Sequence, residues 1–222
     1  IKWSTDAIPV GEIIFFRSGF AVLTLLAYIA IRGSWHHLRV INERGQALRA
    51  VLMAVATLIY FSASGEMPLA DITTMTFISV LVVTALSPWV LGELVGWRRW
   101  TAILGGFAGV VVMLRPGPTG LYWIALLPLL ASTMGALRDL ITRRINLTET
   151  SISMLFYTML TETLLGAATA PFVPWVSIAW PDLVPLIAAG ALFAVAQFLH
   201  IEAFRYAEAS VVSPFRYSSL VW

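Results

Sequence analysis

The chain has 222 residues, of which 59% are hydrophobic and only 12% are charged, and its mean hydropathy is +0.85. Soluble domains average about 45–50% apolar and about 25% charged residues, so this composition excludes a soluble domain and predicts an integral membrane protein. The net charge is only +2, and the basic residues lie singly or in pairs, which excludes a nucleic-acid partner.

Long apolar runs between charged residues predict the membrane helices, each of which needs about 20 mostly apolar residues. The runs are rich in Ala, Gly, Leu and Met and are too long for barrel strands. The predicted fold class is therefore an all-α polytopic membrane protein. In chain order, seven complete spans cover residues 10–31, 47–64, 72–91, 98–114, 120–141, 151–171 and 183–204, and a cut span opens at Ala209.

The loops between these spans alternate in charge. Loops 32–49, 92–99 and 138–149, together with Arg205, carry ten basic residues, whereas the opposite side has only Lys2 and Arg115. The positive-inside rule places the three basic loops in the cytoplasm. Because the chain begins with Ile and ends at Trp222 within an apolar run, we expect a fragment that is cut at both ends.

A short internal repeat appears when the sequence is shifted by about 137 residues. Residues 68–73 then align with residues 205–210, and each segment has an Ala, an acid, an apolar residue and a hydroxyl at the start of a span. The loop charges place the two copies on opposite sides of the membrane. This arrangement predicts units of inverted topology, which many secondary transporters use to build a substrate site between repeats.

Motifs along the chain resemble one family of membrane proteins. These are Gly92-Glu93 at the end of a span, Trp97-Arg98-Arg99-Trp100, the small-residue run 105–113, Phe15-Phe16-Arg17 and Ala207-Glu208-Ala209-Ser210. Together they resemble the signature of the drug/metabolite transporter superfamily, EamA type, and the resemblance covers essentially the whole chain.

The resemblance implies ten helices in an inverted repeat of five-helix units. Residues 1–115 would form the first repeat, with most of its first helix missing, and residues 116–222 the second, cut within helix 9. It further implies a secondary transporter that moves a small organic metabolite across the bacterial inner membrane by alternating access. Protons or an exchanged solute would drive it, and the substrate, the direction of transport and the oligomeric state stay open.

Five charged or titratable residues are candidates for gating or coupling. Arg17 and Glu162 lie roughly 10 and 13 Å below the same membrane surface, so they can pair as a gate, a proton-coupling pair or a structural ion pair. Near the opposite surface, Glu202 and Arg216 are placed to meet across a short hairpin. His200 lies beside them and is either a proton-coupling group or an interfacial histidine.

Polar and aromatic residues on the helices that line the family's cavity are candidates for substrate binding. Thr73 and Phe77 share a helix face by their spacing, although hydroxyls in membrane helices also serve to join helices. The full set of candidates is Tyr60, Thr73, Phe77, Trp123, Ser132, Gln197, Ser213 and Tyr217.

Several types of chemistry lack their motifs in the sequence. Cysteine is absent, His36 and His37 have no further ligand nearby, and no Gly-rich nucleotide-binding loop is present. We therefore expect no metal, no cofactor and no ATP-driven step. Two alternatives to a transporter stay open: an intramembrane enzyme that uses His200 and Glu202, and a membrane subunit that transports nothing.

Overall fold

The computed structural model describes residues 8–64, 67, 69–114, 123–176 and 180–216. These residues form α-helices joined by short loops and contain no strand. The helices are α1 (Val10–Arg32), α2 (Glu43–Ser64), α3 (Leu69–Thr76), α4 (Ile78–Leu91), α5 (Trp97–Leu114), α6 (Leu126–Ile145), α7 (Ser151–Ala168), α8 (Trp180–Tyr206) and α9 (Ala209–Val212). Two 3-10 helices cover Trp35–Leu38 and Trp123–Ala125.

The all-α, multi-pass character predicted from the apolar runs is confirmed. Within the described residues, four helical segments are long and apolar enough to cross a membrane: Val10–Arg32, Glu43–Ser64, Asp71–Leu91 and Leu183–Tyr206. The predicted count of seven complete spans and the inverted repeat stay predictions. The boundary between the proposed repeats, at residues 115 and 116, lies outside the described residues.

Two predicted helix boundaries were wrong, because charged residues were read as loop residues. Helix α2 begins at Glu43 rather than at residue 47, and α6 continues to Ile145 rather than ending at residue 141. Arg49 and Arg138 are both buried within these helices. Their guanidinium groups bind protein atoms instead of water, so a charge in these helices does not mark a loop.

The predicted span 72–91 is interrupted at Phe77, where α3 ends and α4 begins. The Phe77 N–H bonds the carbonyl of Thr74 and the Val80 N–H bonds that of Phe77, so this turn closes with the shorter spacing of a 3-10 helix. The hydroxyls of Thr76 and Ser79 also bond backwards, to the carbonyls of Thr73 and Thr76. These bonds give the backbone a local alternative to the regular helix.

The chain divides into two compact units. The first comprises Ile1–Ala54 and Ile145–Glu202, and in it α1 packs along α7. Glycine makes this packing close, because a Cβ placed on Gly166 would lie only 2.7 Å from the backbone nitrogen of Phe15. Ile8, Ile13 and Leu186 form an apolar cluster in the same unit.

The second unit comprises Val55–Arg144 and Ala203–Trp222. Within it, α4 packs against both α5 and α9. Its apolar core joins residues from α4, α6, α8 and α9: Val83, Ala136, Leu140, Phe204 and Ala209. Residues far apart in the sequence therefore share this core.

Candidate functional site

A buried ion pair joins α1 and α7 in the first unit. The Arg17 guanidinium lies 3.1 Å from Glu162 Oε2, and the hydroxyl of Ser18 donates to the same oxygen at 2.8 Å. Glu162 is fully buried, and Arg17 is 8% exposed. The ring of Phe193 on α8 lies 4.0 Å from Arg17 Cζ, so an aromatic face also contacts the cation.

Small residues let the helices that carry this pair approach closely. Gly166 follows Glu162 by one helical turn, so one face of α7 presents both the carboxylate and the glycine. Gly190 of α8 has the same function, because a Cβ there would lie 2.7 Å from the carbonyl oxygen of Arg17. The close contact keeps lipid and water away from the pair and so strengthens its electrostatic attraction.

The pair can perform two kinds of work. Two opposite charges buried together hold α1 to α7, because removing either one would leave the other buried without its counter-charge. A pair that opened and closed would also change the packing of α1 on α7, which is what a gating or coupling pair requires. The predicted role of Arg17 and Glu162 in gating or coupling stays a prediction.

A second polar cluster lies in the second unit. Arg216 donates to the hydroxyl of Ser79 at 3.0 Å and pairs with Asp139 Oδ2 at 2.6 Å. The other oxygen of Asp139 accepts from Arg138 Nε at 2.9 Å. Asp139 is almost fully buried, yet it is not among the predicted site residues, because the neighbouring arginines resemble loop residues in the sequence.

The candidates His200 and Gln197 lie half-buried on α8. Glu202, on the same helix, accepts a hydrogen bond from the hydroxyl of Ser151. Glu202 and Arg216 therefore each have a partner within their own unit. Their predicted meeting stays a prediction, as does the coupling role of His200.

Two substrate-binding candidates are buried hydroxyls that bond to nearby carbonyls. Ser132 donates to the carbonyl of Pro128 at 2.5 Å, and Ser213 donates to that of Ala209 at 2.8 Å. Both acceptors lie four residues earlier, which is the hydrogen bond that serine hydroxyls in membrane helices often make. Their role in binding stays a prediction.

The remaining candidates lie at separate positions along the chain. Thr73 is exposed on α3, Phe77 lies at the interruption before α4, and the rings of Tyr60 and Phe61 pack edge to face at 5.9 Å. Trp123 begins a 3-10 helix. Tyr217 lies outside the described residues. A common cavity that gathers these residues stays a prediction.

The turn after α4 contacts the start of α9, and this contact was not predicted from the sequence. Gly92 ends α4 in the left-handed conformation with φ +71°, which directs the following Glu93 toward α9. Glu93 accepts from the backbone N–H of Ala209 at 2.9 Å and from that of Ser210 at 3.3 Å. Arg99 adds a hydrogen bond of 2.7 Å to the Ser210 hydroxyl.

This contact joins two of the motifs that carried the family resemblance, the Gly92-Glu93 turn and the Ala207–Ser210 segment. Arg99 also lies 3.5 Å from Glu208, although both side chains are substantially exposed. Within the part of the chain that the structure describes, no cluster of three or more metal-ligating side chains is found.

Comparison with known families identifies the chain. The model of the EamA-like transporter family matches residues 1–115, which is more than half of the sequence. The chain belongs to the EamA-like transporter family. The resemblance seen in the motifs is thereby confirmed.

Relatives of this EamA-like chain are named for different solutes. An S-adenosylmethionine uptake transporter of Rickettsia prowazekii is 27% identical over 95% of this chain and 71% of its own length. A riboflavin transporter of Rhizobium johnstonii is 27% identical over 96% of this chain and 71% of its own length. The pseudopaline exporter of Pseudomonas aeruginosa is 26% identical over the whole chain and 78% of its own length.

A solved crystal structure of a protein also resembles this EamA-like chain. It shares 17% sequence identity and a TM-score of 0.79, over 99% of this chain and 78% of that one. At this identity the likeness shows the fold alone.

Proposed function

We propose that this EamA-like protein is a secondary transporter that moves a small organic metabolite across the bacterial inner membrane by alternating access. The observation that carries the proposal is the match of the family model to residues 1–115, the part of the chain that contains α1 to α5. Helices long and apolar enough to cross a membrane support it.

The names of the relatives support a small metabolite as the substrate class. They include two uptake or transport proteins for unrelated solutes and one exporter. Identities near 27% do not select one of these solutes or one direction for this chain. In our proposal, loops 32–49, 92–99 and 138–149 face the cytoplasm.

The ion pair of Arg17 with Glu162 is our candidate for the coupling element. It lies between two helices of one unit, and its carboxylate accepts from both Arg17 and Ser18. Protonation of Glu162 would remove the charge that holds Arg17 and would weaken the contact of α1 with α7. A proton gradient could thereby bias the packing of these helices.

Transport by proteoliposomes tests the proposal. Purified protein is reconstituted, and the vesicles are offered labelled S-adenosylmethionine, labelled riboflavin and a pool of small metabolites, with and without a pH gradient. We expect at least one solute to accumulate and to be recovered chemically unchanged. An enzyme would return an altered compound and a non-transporting subunit would move nothing, so mass spectrometry of the vesicle contents separates the alternatives.

Glu162→Gln tests the coupling element, because the amide keeps an acceptor oxygen but loses the charge. We expect transport driven by the pH gradient to fall at least about tenfold, while exchange of labelled for unlabelled solute continues. The matched control is Glu43→Gln, which removes an exposed carboxylate from the first turn of α2. Equal loss of driven transport and exchange would contradict the coupling role, because it would indicate a structural one.

A further inference from the structure

Helices α1, α7 and α8 enclose an apolar groove of about 280 Å³ in the first unit. Its lining includes Thr24, Leu25, Tyr28, Leu155, Ala194 and Val195. Leu25, Leu155 and Ala194 are buried and form its floor, whereas Tyr28 and Val195 are exposed at its rim. The hydroxyl of Thr24 donates to the carbonyl of Phe20, so the groove presents an apolar surface.

A cation lies at one end of this groove. Thr24, Tyr28 and Arg32 follow one another at intervals of four residues and therefore share one face of α1. Arg32 Cζ lies 5.9 Å from the centre of the Tyr28 ring, which holds the guanidinium beside the rim. Gly33 ends the helix directly afterwards in the left-handed conformation, so Arg32 stands where the apolar span stops.

The loop after α1 adds further positive charge and an interfacial aromatic. Arg32 and Arg39 are exposed, and Glu43 is the one acidic residue between positions 32 and 44. The carboxylate of Glu149 also accepts from backbone N–H groups of this loop, but it is buried. Trp35 is also exposed, as expected of an indole at the boundary between the hydrocarbon and the headgroups. This end of the groove therefore has the charge and the side chains that complement an anionic lipid headgroup.

We propose that the groove binds one anionic phospholipid, with an acyl chain between α1 and α8 and the phosphate against Arg32. The apolar lining matches the acyl chain, because it offers van der Waals contacts but few hydrogen-bonding groups for a polar solute. The guanidinium at the rim matches the phosphate, which arginine binds with two parallel hydrogen bonds. Thr24 lies about 12 Å from Arg32 along α1, so the groove extends into the hydrocarbon below the headgroup.

Native mass spectrometry of the purified protein tests this site without any transport measurement. The probes are phosphatidylglycerol and phosphatidylethanolamine with identical acyl chains, each titrated into detergent micelles. We expect one phosphatidylglycerol to bind more tightly than phosphatidylethanolamine. Arg32→Gln should weaken the binding of phosphatidylglycerol by about fivefold, which is the effect expected of one cation at the headgroup. Arg39→Gln removes an equal charge from the same loop, but Arg39 lies beyond the end of α1 and so outside the helix face that carries Thr24 and Tyr28, and the change should weaken binding less.

A second pair of variants tests the groove itself. Thr24→Phe places a ring in the groove from its exposed rim, and we expect it to remove the bound lipid. Leu23→Phe makes a ring at the adjacent exposed position, which does not line the groove, and should leave binding unchanged. Equal binding of the two lipids, equal effects of Arg32→Gln and Arg39→Gln, or retention of the lipid by Thr24→Phe would each overturn the proposal.

Discussion

Glu162 and Glu93 each join two segments that lie far apart in the sequence, but they do so in different surroundings. Glu162 is fully buried between α1 and α7, where it pairs with Arg17 and accepts from Ser18. Glu93 lies at the end of α4 and accepts from two backbone N–H groups at the start of α9. The first contact neutralises a buried charge, and the second caps a helix.

The comparison indicates where the chain is fragile. A buried charge that loses its partner keeps the full cost of its burial, because no water replaces the lost interaction. Glu93 instead bonds uncharged N–H groups and lies 3.9 Å from the partly exposed Arg143, so its loss leaves no fully buried ion without a partner and costs less. We therefore expect breaking the Arg17–Glu162 pair to cost more stability than removing the Glu93 cap, because several weaker bonds contribute to the contact at the turn.

The largest effect is expected for Arg17→Met, which leaves Glu162 buried without this counter-charge. The free energy of unfolding should fall by about 3–5 kcal/mol, as measured by reversible unfolding in detergent micelles. The double variant with Glu162→Met should recover most of this loss, because neither charge of the pair then remains buried. The control is Arg44→Met, at an exposed position of α2, where we expect little change. A small effect of Arg17→Met alone would show that the buried pair does not stabilise the unit.

An intermediate effect is expected for Gly166→Ala. The new methyl group would lie 2.7 Å from the nitrogen of Phe15 and 2.8 Å from the carbonyl oxygen of Gly11, and neither backbone atom can rotate away. Overpacking of this kind costs about 1–3 kcal/mol. Gly135→Ala in α6 is the matched control, since no neighbouring atom of the described residues lies within 4 Å, and there alanine should stabilise by up to about 1 kcal/mol. Equal effects of the two variants would contradict the close packing of α1 on α7.

The smallest effect is expected for Glu93→Ala, which removes the acceptor for the first N–H groups of α9. The cost of losing a cap is about 0.5–2 kcal/mol. Hydrogen exchange should show the loss most clearly, because protection of the Ala209 and Ser210 amides should fall while that of α1 is unchanged. Leu94→Ala changes the adjacent residue, which is 92% exposed, and should leave both amides protected. If Glu93→Ala lowered the free energy of unfolding as much as Arg17→Met does, the proposed difference between the buried ion pair and the helix cap would be contradicted.

Apolar runs predicted the helical segments well, because every backbone polar group within a bilayer must be satisfied inside the protein. They failed where a charge is buried. Arg49 donates to the carbonyl of Met154 and to the hydroxyl of Thr158, so it holds α2 to α7 instead of facing water. A single sequence records the charge of Arg49 but not the carbonyl that accepts its hydrogen bond.

The candidate site was also predictable only in part. Counting residues from the ends of two spans put Arg17 and Glu162 at comparable depths, and the structure joins them at 3.1 Å. The partners of Glu93 could not be found in this way, because a backbone N–H has no sequence signature. Asp139 was not predicted for a related reason. In the sequence its neighbour Arg138 resembles the end of a span, and only the packing of α6 shows that both residues are buried.

The contact of α1 with α7 also constrains how the protein is made. Arg17 is synthesised 145 residues before Glu162, which corresponds to a delay of roughly 7–30 s at the usual rates of translation. During that interval an arginine in the membrane costs at least about 2.5–3.5 kcal/mol. The nascent α1 therefore carries this cost until α7 is synthesised, and we expect the Arg17 side chain to extend toward the membrane surface until Glu162 is available to pair with it.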